Sequence, residues 1–424
     1  MKQYLKMKLS EQEWLGSLPY HWDLKRLKFS FGEVNDLRSN SGANDFYVAL
    51  EHIEKWSGKL NPPEEVAQYE STVKAFDSDD VLFNKLRPYL AKAFVADRKG
   101  VCVSELLVLR RKNSNVLPKY LLYFLLSKPT IDLINASTYG AKMPRANWSF
   151  IGNLLLPLPP MEEQKAITCY LDEKLEHIQH FIDNKRRLIE MLEEQKRTVA
   201  ERAVTKGISP ELPTKEPGLR WLEPIPEHWQ VKRARYFFRE VDERSEAGEE
   251  ELLSVSHKTG VTPRSEKNVT MFKAESYEDS KMCRPNDLVI NIMWAWMGAM
   301  GVSAHAGIVS SAYGVYRPKS AELFDAEYLD YLVRTSLYIA EYNGRSRGVT
   351  SSRARMYTED FYDIPVVRPP LSEQQEIVAH IKRESAALDE AIEKSRIELS
   401  LIEEYRTTLI SEIVTGKIDV RGKA

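Results

Sequence analysis

Two stretches decide the fold: WLGSLPYHWDLKR, Trp14–Arg26, and WLEPIPEHWQVKR, Trp221–Arg233. They are one segment written twice, 207 residues apart. The same offset aligns DDVLFN from Asp79 with NDLVIN from Asn286, and GVCVS from Gly100 with GIVSS from Gly307. Further along, PLPPMEEQ from Pro157 answers VRPPLSEQ from Val367, where the offset has drifted to 210, and VTKG at Val204 answers VTGK at Val414. Chance matches scatter in offset, and these do not. A period this long excludes a solenoid and means two copies of a large unit.

Each copy holds two kinds of sequence. From about Met1 to Pro157, and from about Glu211 to Val366, short apolar runs such as Val81-Leu82-Phe83 and Leu288-Val289-Ile290 are punctuated by Gly, Asn and Asp. Such runs read as strands. Helical patterns follow around Lys119–Leu126 and Glu327–Val333. The expectation is two globular α/β (α+β) domains in tandem, 1–157 and 211–366, separated by long spacer helices at 158–210 and 367–424. In the first helix the seam runs Leu171, Leu175, Ile178, Ile182, Lys185, Ile189, Leu192, Lys196, Val199, Ala203. In the second it runs Ile381, Ser385, Leu388, Ile392, Ser395, Leu399, Ile402, Arg406, Leu409, Ile413, each position 210 residues on. A four–three apolar spacing is what a coiled-coil seam requires. About 43 residues give a rod of roughly 65 Å. Ser372, with Gln375 three residues on, offers a capping box for the second helix. The matched polar interruptions, Lys185 with Ser395 and Lys196 with Arg406, favour burial of the two seams against each other over packing of each helix on its own domain. The expected arrangement is an antiparallel coiled coil with a pseudo-two-fold internal repeat.

The 424 residues hold 60 Lys+Arg against 62 Asp+Glu, a net charge of −2, with 43% hydrophobic and 29% charged residues. This is ordinary globular composition, and its neutrality argues against a uniformly basic, sequence-blind polyanion binder. Cys102, Cys169 and Cys283 form no CxxC pair, which argues against disulfides or zinc and fits a reducing cytoplasm. No apolar run reaches ~18 residues, and MKQYLKMKLSEQEW at the start lacks a signal-peptide core. No membrane span and a cytoplasmic, prokaryotic location are expected. Phosphate loops, GxGxxG, GxSxG and metal-spaced histidines are all missing from the sequence. Asn61-Pro62-Pro63-Glu64 resembles the Asn-Pro-Pro-aromatic motif of amino-group DNA methyltransferases. Glu64 cannot stack on a flipped base, so the stretch reads as a proline turn. His21 and His228 recur in the Pro-x-His-Trp step, and with no acid repeated beside them they read as pins for a turn beneath Trp22 and Trp229.

Residues 1–150 carry 22 basic against 17 acidic side chains, and residues 214–365 carry 20 against 23. In the second copy the charge is segregated. An acidic run spans Glu240 to Glu251, whereas NGRSRGVTSSRARMY, Asn343 to Tyr357, has Arg345, Arg347, Arg353 and Arg355 with Ser351 among its hydroxyls and no acid. The corresponding YGAKMPRANW, Tyr139 to Trp148, offers Lys142, Arg145 and Asn147. Arginine forks suit phosphates and guanine edges, and Asn suits adenine. After the duplicated strand come Lys85, Arg87 and Tyr89 in one copy but Met293, Trp294, Trp296 and Met297 in the other. The Trp/Met stretch reads as a packed face rather than a base-reading edge.

The two Pro-Pro-x-x-Glu-Gln steps into long helices, the heptad seams and the two Pro-x-His-Trp starts resemble the specificity subunit of type I DNA restriction–modification systems over the whole chain. The resemblance implies two target-recognition domains, each reading half of a split target in double-stranded DNA, spaced by the coiled coil. It implies a non-catalytic chain that binds no cofactor itself and docks two adenine-N6 methyltransferase subunits, which use S-adenosylmethionine. Restriction subunits, which use ATP and magnesium, join that core. The alternatives are a coiled-coil interaction scaffold that never touches DNA and a methyltransferase with fused recognition domains.

Overall fold

The computed structural model describes residues 2–38, 46–61, 72–266, 276–348 and 354–422. The chain divides into two compact units, one of Met1–Arg186 with Arg396–Ala424 and one of Arg187–Ser395.

The first unit is built on an antiparallel sheet of β1 (Phe31–Val34), β2 (Val81–Asn84), β3 (Ala93–Val95) and β4 (Leu106–Arg111), in the order β1-β4-β2-β3. Side chains alternate across a pleated strand, so a strand covered on both faces reads as a continuous apolar run. Val81, Phe83, Leu107 and Leu109 join the larger core. Leu82, Leu106 and Val108 join a smaller core behind the sheet with Val48, Phe76 and Cys102. The helix Pro118–Leu126 covers the larger core; Tyr120 through Leu126 are all buried, as in a helix apolar all round. That core also takes in Ile167, Leu171, Ile178 and Ile182 of a first long helix, Met161–Lys206, and Leu409, Ile410, Ile413 and Val414 of a second, Leu371–Val414.

The second unit repeats the plan. Strands β5 (Phe238–Glu240), β6 (Leu288–Ile290), β7 (Met300–Val302) and β8 (Gly314–Pro318) take the order β5-β8-β6-β7. Leu288, Ile290 and Tyr316 face one core and Val289 and Val315 the other. Asp325 caps the helix Ala326–Val333 by accepting from the Glu327 and Tyr328 amides, both at 3.0 Å. Its main core includes Ala203 and Val204 of the first long helix and Ile377, Val378 and Ile381 of the second.

The duplicated motifs fix the ends of these helices. Asp23–Arg26 pairs antiparallel with Leu155–Leu158, and Gln230–Arg233 with Pro365–Arg368. Each pairing brings a Pro-x-His-Trp turn beside a Pro-Pro step. Trp22 and Trp229 are fully buried. His21 contacts Glu163 at 2.8 Å and His228 contacts Glu373 at 2.7 Å. The acid that the sequence reading does not find beside the histidines is therefore the Glu of the Glu-Gln step. The following glutamines are fully buried. Gln164 accepts from the Leu117 amide (3.0 Å) and donates to the Asn115 (2.9 Å) and Pro159 (3.0 Å) carbonyls. Gln374 accepts from the Asp325 amide (2.8 Å) and donates to the Leu323 and Pro369 carbonyls, both at 3.0 Å.

The far ends are held as closely. The Tyr120 hydroxyl lies between the Pro157 carbonyl (2.9 Å) and the Val414 carbonyl (3.3 Å), and Tyr328 donates to the Val204 carbonyl at 3.2 Å. Gly207 and Gly416, in left-handed conformation, end the helices against Trp229 and Trp22.

Two expectations are corrected. Ser372 is not the cap, because the helix already begins at Leu371 and the Pro370 carbonyl accepts from the Gln374 amide at 3.0 Å. The stretch 367–424 is not helical throughout. It opens in strand up to Arg368, and the helix stops at Val414. The chain then turns back, with Ile418 and Val420 buried, so that Asp419 pairs with Lys2. Likewise 158–210 opens on a strand residue, Leu158, and its helix ends at Lys206.

Candidate nucleic-acid interface

In each unit two loops are stitched side by side. After β2 the buried Asn84 closes a turn, donating to the Leu86 carbonyl (2.7 Å) and accepting from the Leu86 amide (3.0 Å). The Arg87 amide donates to the Pro144 carbonyl at 2.8 Å, and the Ala146 amide to the Lys85 carbonyl at 2.9 Å. Tyr139 and Arg145 exchange both backbone bonds, at 3.1 and 3.0 Å, and close a small hairpin. Lys85, Arg87, Lys142 and Arg145 thus gather on neighbouring loops. In the second unit Asn291 accepts from the Met293 amide at 3.2 Å, and the Met356 amide donates to the Ile292 carbonyl at 3.1 Å. Arg347 and Arg355 exchange both backbone bonds at 2.9 Å.

The local chemistry sorts the basic candidates. Arg145 grips Glu105 through Nη2 at 2.9 Å and Nε at 3.1 Å. Arg345 pairs with Glu341 at 2.6 Å, and Arg347 with the buried Asp360 at 2.5 Å. Asn147 is a helix cap: its side-chain oxygen accepts from the Phe150 amide at 2.9 Å and from the Ser149 hydroxyl. That oxygen is committed within the fold rather than presented to an adenine. Among the described residues the side chains of Lys85, Arg87, Lys142 and Arg355 make no ion pair or side-chain hydrogen bond. Lys85 is half-buried and the other three are exposed. Ser351 and Arg353 lie outside the described residues, as do Pro62 to Glu64 of the proline turn.

Aromatic side chains lie exposed among these cations. They are Tyr89 and Tyr139 in the first unit, and Trp294 and Tyr357 in the second. Tyr139 and Tyr357 border the two basic stretches in sequence, the signal that could have singled them out. The Trp/Met stretch is only partly a packed face. Trp296 is half-buried and donates to the Met293 carbonyl at 3.2 Å, but Trp294 is 51% exposed.

On the long helices, Leu171, Ile178, Ile182, Ile381, Ile392 and Leu409 are buried, and Ile189, Leu192, Val199, Leu388, Leu399 and Ile402 are half-buried. Within the first unit Lys185 pairs with Glu398 (2.5 Å) and Arg186 with Glu403 (3.2 Å). Within the second, Lys196 pairs with Asp389 at 2.6 Å. Among the described residues no three His, Cys, Asp or Glu side chains gather to hold a metal ion, and no helix is long and apolar enough to cross a membrane. Burial pushes the Cys102 thiol up to about 12 and the Cys283 thiol up to about 11, away from thiolate chemistry.

With this geometry in view, the likenesses to known proteins are informative. The family described as the type I restriction modification DNA specificity domain matches residues 63–193. The chain is 25% identical over 166 residues to the EcoDI specificity subunit of Escherichia coli, covering 38% of this chain and 36% of that subunit. Against the MjaVIII specificity subunit of Methanocaldococcus jannaschii it is 25% identical over 342 residues, 76% of each chain. Against the putative MjaX specificity subunit of the same organism it is 23% identical over 438 residues, 96% of each. A solved chain, from work on complex assembly and conformational transition of the type I R-M system, matches with a TM-score of 0.67 at 20% identity, covering 95% of this chain and 99% of that one. That likeness establishes the fold: two mixed α/β units joined by long helices. In sequence the chain is similar to specificity subunits of type I restriction–modification systems, weakly in identity but along most of its length.

Proposed function

We propose that this chain is the non-catalytic, DNA-reading subunit of a type I restriction–modification complex. Each unit reads one half of a split target in double-stranded DNA. The long helices lie together as an antiparallel coiled coil, the two copies keep a pseudo-two-fold relation, and the coil sets the gap between half-sites. Two methyltransferase subunits carrying S-adenosylmethionine dock on the remaining helix faces and methylate adenine N6. Restriction subunits with ATP and magnesium join for cleavage. This chain holds no cofactor.

One observation carries the reading. In both units the loop after the second sheet strand is stitched to a hairpin-based basic loop, and each pair exposes cations and aromatic rings while sharing no tip residues. A common frame with unlike tips is what two readers of unlike half-sites require. The matches to specificity subunits support it along most of the chain. The ion pairs of Lys185 with Glu398 and Lys196 with Asp389 support the opposed helix directions.

Physically, cations at the loops collect phosphate contacts, which give salt-dependent affinity and register. A few side chains then read base edges in the grooves. Half-sites about 10 bp apart, centre to centre, present one face of the duplex to both units. Co-expression with the neighbouring methyltransferase subunit, followed by mapping of N6-methyladenine, tests the reading. Two short sequences around a fixed unspecified gap are expected. A complex that forms yet neither methylates nor binds DNA selectively overturns it.

A further inference from the structure

We infer that Arg87 is the side chain with which the first unit selects a guanine, through a two-pronged contact in the major groove. The inference rests on the DNA-reading role proposed above and narrows it to one residue. Three observations converge on Arg87.

The first is elimination within the loop pair. Arg145 is held by Glu105, and Asn147 caps a helix. Lys142, exposed in the hairpin closed by Tyr139 and Arg145, is a point charge on a flexible stem, suited to a phosphate. Lys85 is half-buried. Arg87 is exposed, and among the described residues its guanidinium makes no ion pair or hydrogen bond.

The second is its backbone. Arg87 sits at φ 53°, ψ 61°, a left-handed conformation that a side-chain-bearing residue rarely adopts. Its amide donates to the Pro144 carbonyl at 2.8 Å and its carbonyl accepts from the Leu90 amide at 3.0 Å. Pro88 follows with its ring-fixed φ, and the fully buried Ala91 is left-handed as well. The Cα–Cβ bond of Arg87 is therefore aimed by a clamped, strained turn. Such conformations persist where the surrounding structure enforces them, and they concentrate at functional sites. A phosphate contact needs no such aim, whereas a base-edge contact does.

The third is chemistry. The planar guanidinium fork fits the O6 and N7 acceptors of guanine and no other base edge as well. At the aligned position the second unit carries Trp294, exposed and without charge. The contact made by Arg87 therefore has no counterpart at the aligned position of the second unit.

The test is target mapping with the full chain in its methyltransferase complex, comparing wild type, Arg87→Gly and Arg87→Lys. Glycine accepts the left-handed conformation, so Arg87→Gly keeps the fold; thermal melting checks that it does. Lysine keeps the charge but loses the fork. Both variants are expected to lose a preference of roughly 10- to 100-fold for guanine at a single position in one half-site, with the other half unchanged. A wild-type motif that survives both variants unchanged overturns the role of Arg87 alone. So does a uniform fall in affinity without a change in preference, which is the signature of a phosphate contact. A wild-type complex that selects no motif removes the DNA-reading role itself.

Discussion

The hydroxyl of Tyr120 shares its one proton between the carbonyl of Pro157, at 2.9 Å, and that of Val414, 294 residues further along the chain, at 3.3 Å. Tyr328 makes the matching bond to Val204. In each unit a tyrosine under the sheet holds the end of one long helix, while a buried glutamine locks the start of the other.

The glutamine locks are testable by denaturation. Replacing Gln164 with Leu removes a buried hydrogen bond to the Pro159 carbonyl and two part-buried ones, with the Leu117 amide and the Asn115 carbonyl. Unmet buried polar groups cost roughly 1–3 kcal/mol each, so a loss of about 2–4 kcal/mol is expected in urea unfolding of the first unit. Gln374→Leu should weaken the second unit alike. Unfolding midpoints that stay in place for both variants would remove the lock.

Gly416 is required for two separable reasons. Its φ is +73°, and a Cβ there would meet Pro19 Cδ at 2.2 Å. Gly422 has φ +75° with nothing within 4 Å. Gly422→Ala should therefore cost about 1 kcal/mol from backbone strain alone. Gly416→Ala should cost clearly more, and the difference in melting temperature measures the clash with Pro19.

On the proposed reading the two long helices set the spacing between half-sites. Inserting four residues between Lys185 and Leu192, with a matched insertion between Ser395 and Ile402, adds roughly 6 Å of helix. Against about 3.4 Å per base pair, that widens the gap by one to two base pairs. Methylation mapping should return the same two half-sites further apart. An unchanged gap would show that the helices do not set it.

Lys142 should act through salt rather than sequence. Lys142→Ala is expected to reduce the slope of log K against log salt by about 0.9, with the target motif intact. Binding titrations across a salt series read this directly.

Acid should loosen the segment after the second long helix. The hydrogen bond from Arg421 holds the Asp419 carboxyl below its ordinary range. A carboxyl depressed in the folded state adds stability that is present above its unfolded value and lost as pH falls through the folded one. The loss should therefore begin below about pH 4. Asp419→Asn should remove this acid-dependent component when melting is followed against pH.

The repeat offset made the architecture readable, because two copies at one spacing must fold alike. The identical strand orders of β1–β4 and β5–β8 follow from it. The partner of His21 and His228 was harder to read, since Glu163 and Glu373 lie 142 and 145 residues away. The signal was present all the same: both acids sit in the duplicated Glu-Gln step. Asn147, which the sequence offers as an adenine partner, spends its side-chain oxygen on the Phe150 amide, and an Asn directly before a short helix is a cap by local rules. The Arg345–Glu341 pair is four residues apart on one helix and legible as such. The Glu105 partner of Arg145 depends on how two loops meet, which no local pattern records.

The division of the long helices bears on how the molecule comes into being. The second unit is continuous, Arg187–Ser395, whereas the first is completed only by Arg396–Ala424. Domains ordinarily fold from the N-terminal side during synthesis. A chain made as far as Ser395 holds everything the second unit needs, while Tyr120 still waits for Val414. Protease protection of chains truncated after Ser395 and released from the ribosome would appear in the later-made half first. The part translated earliest is the last to close.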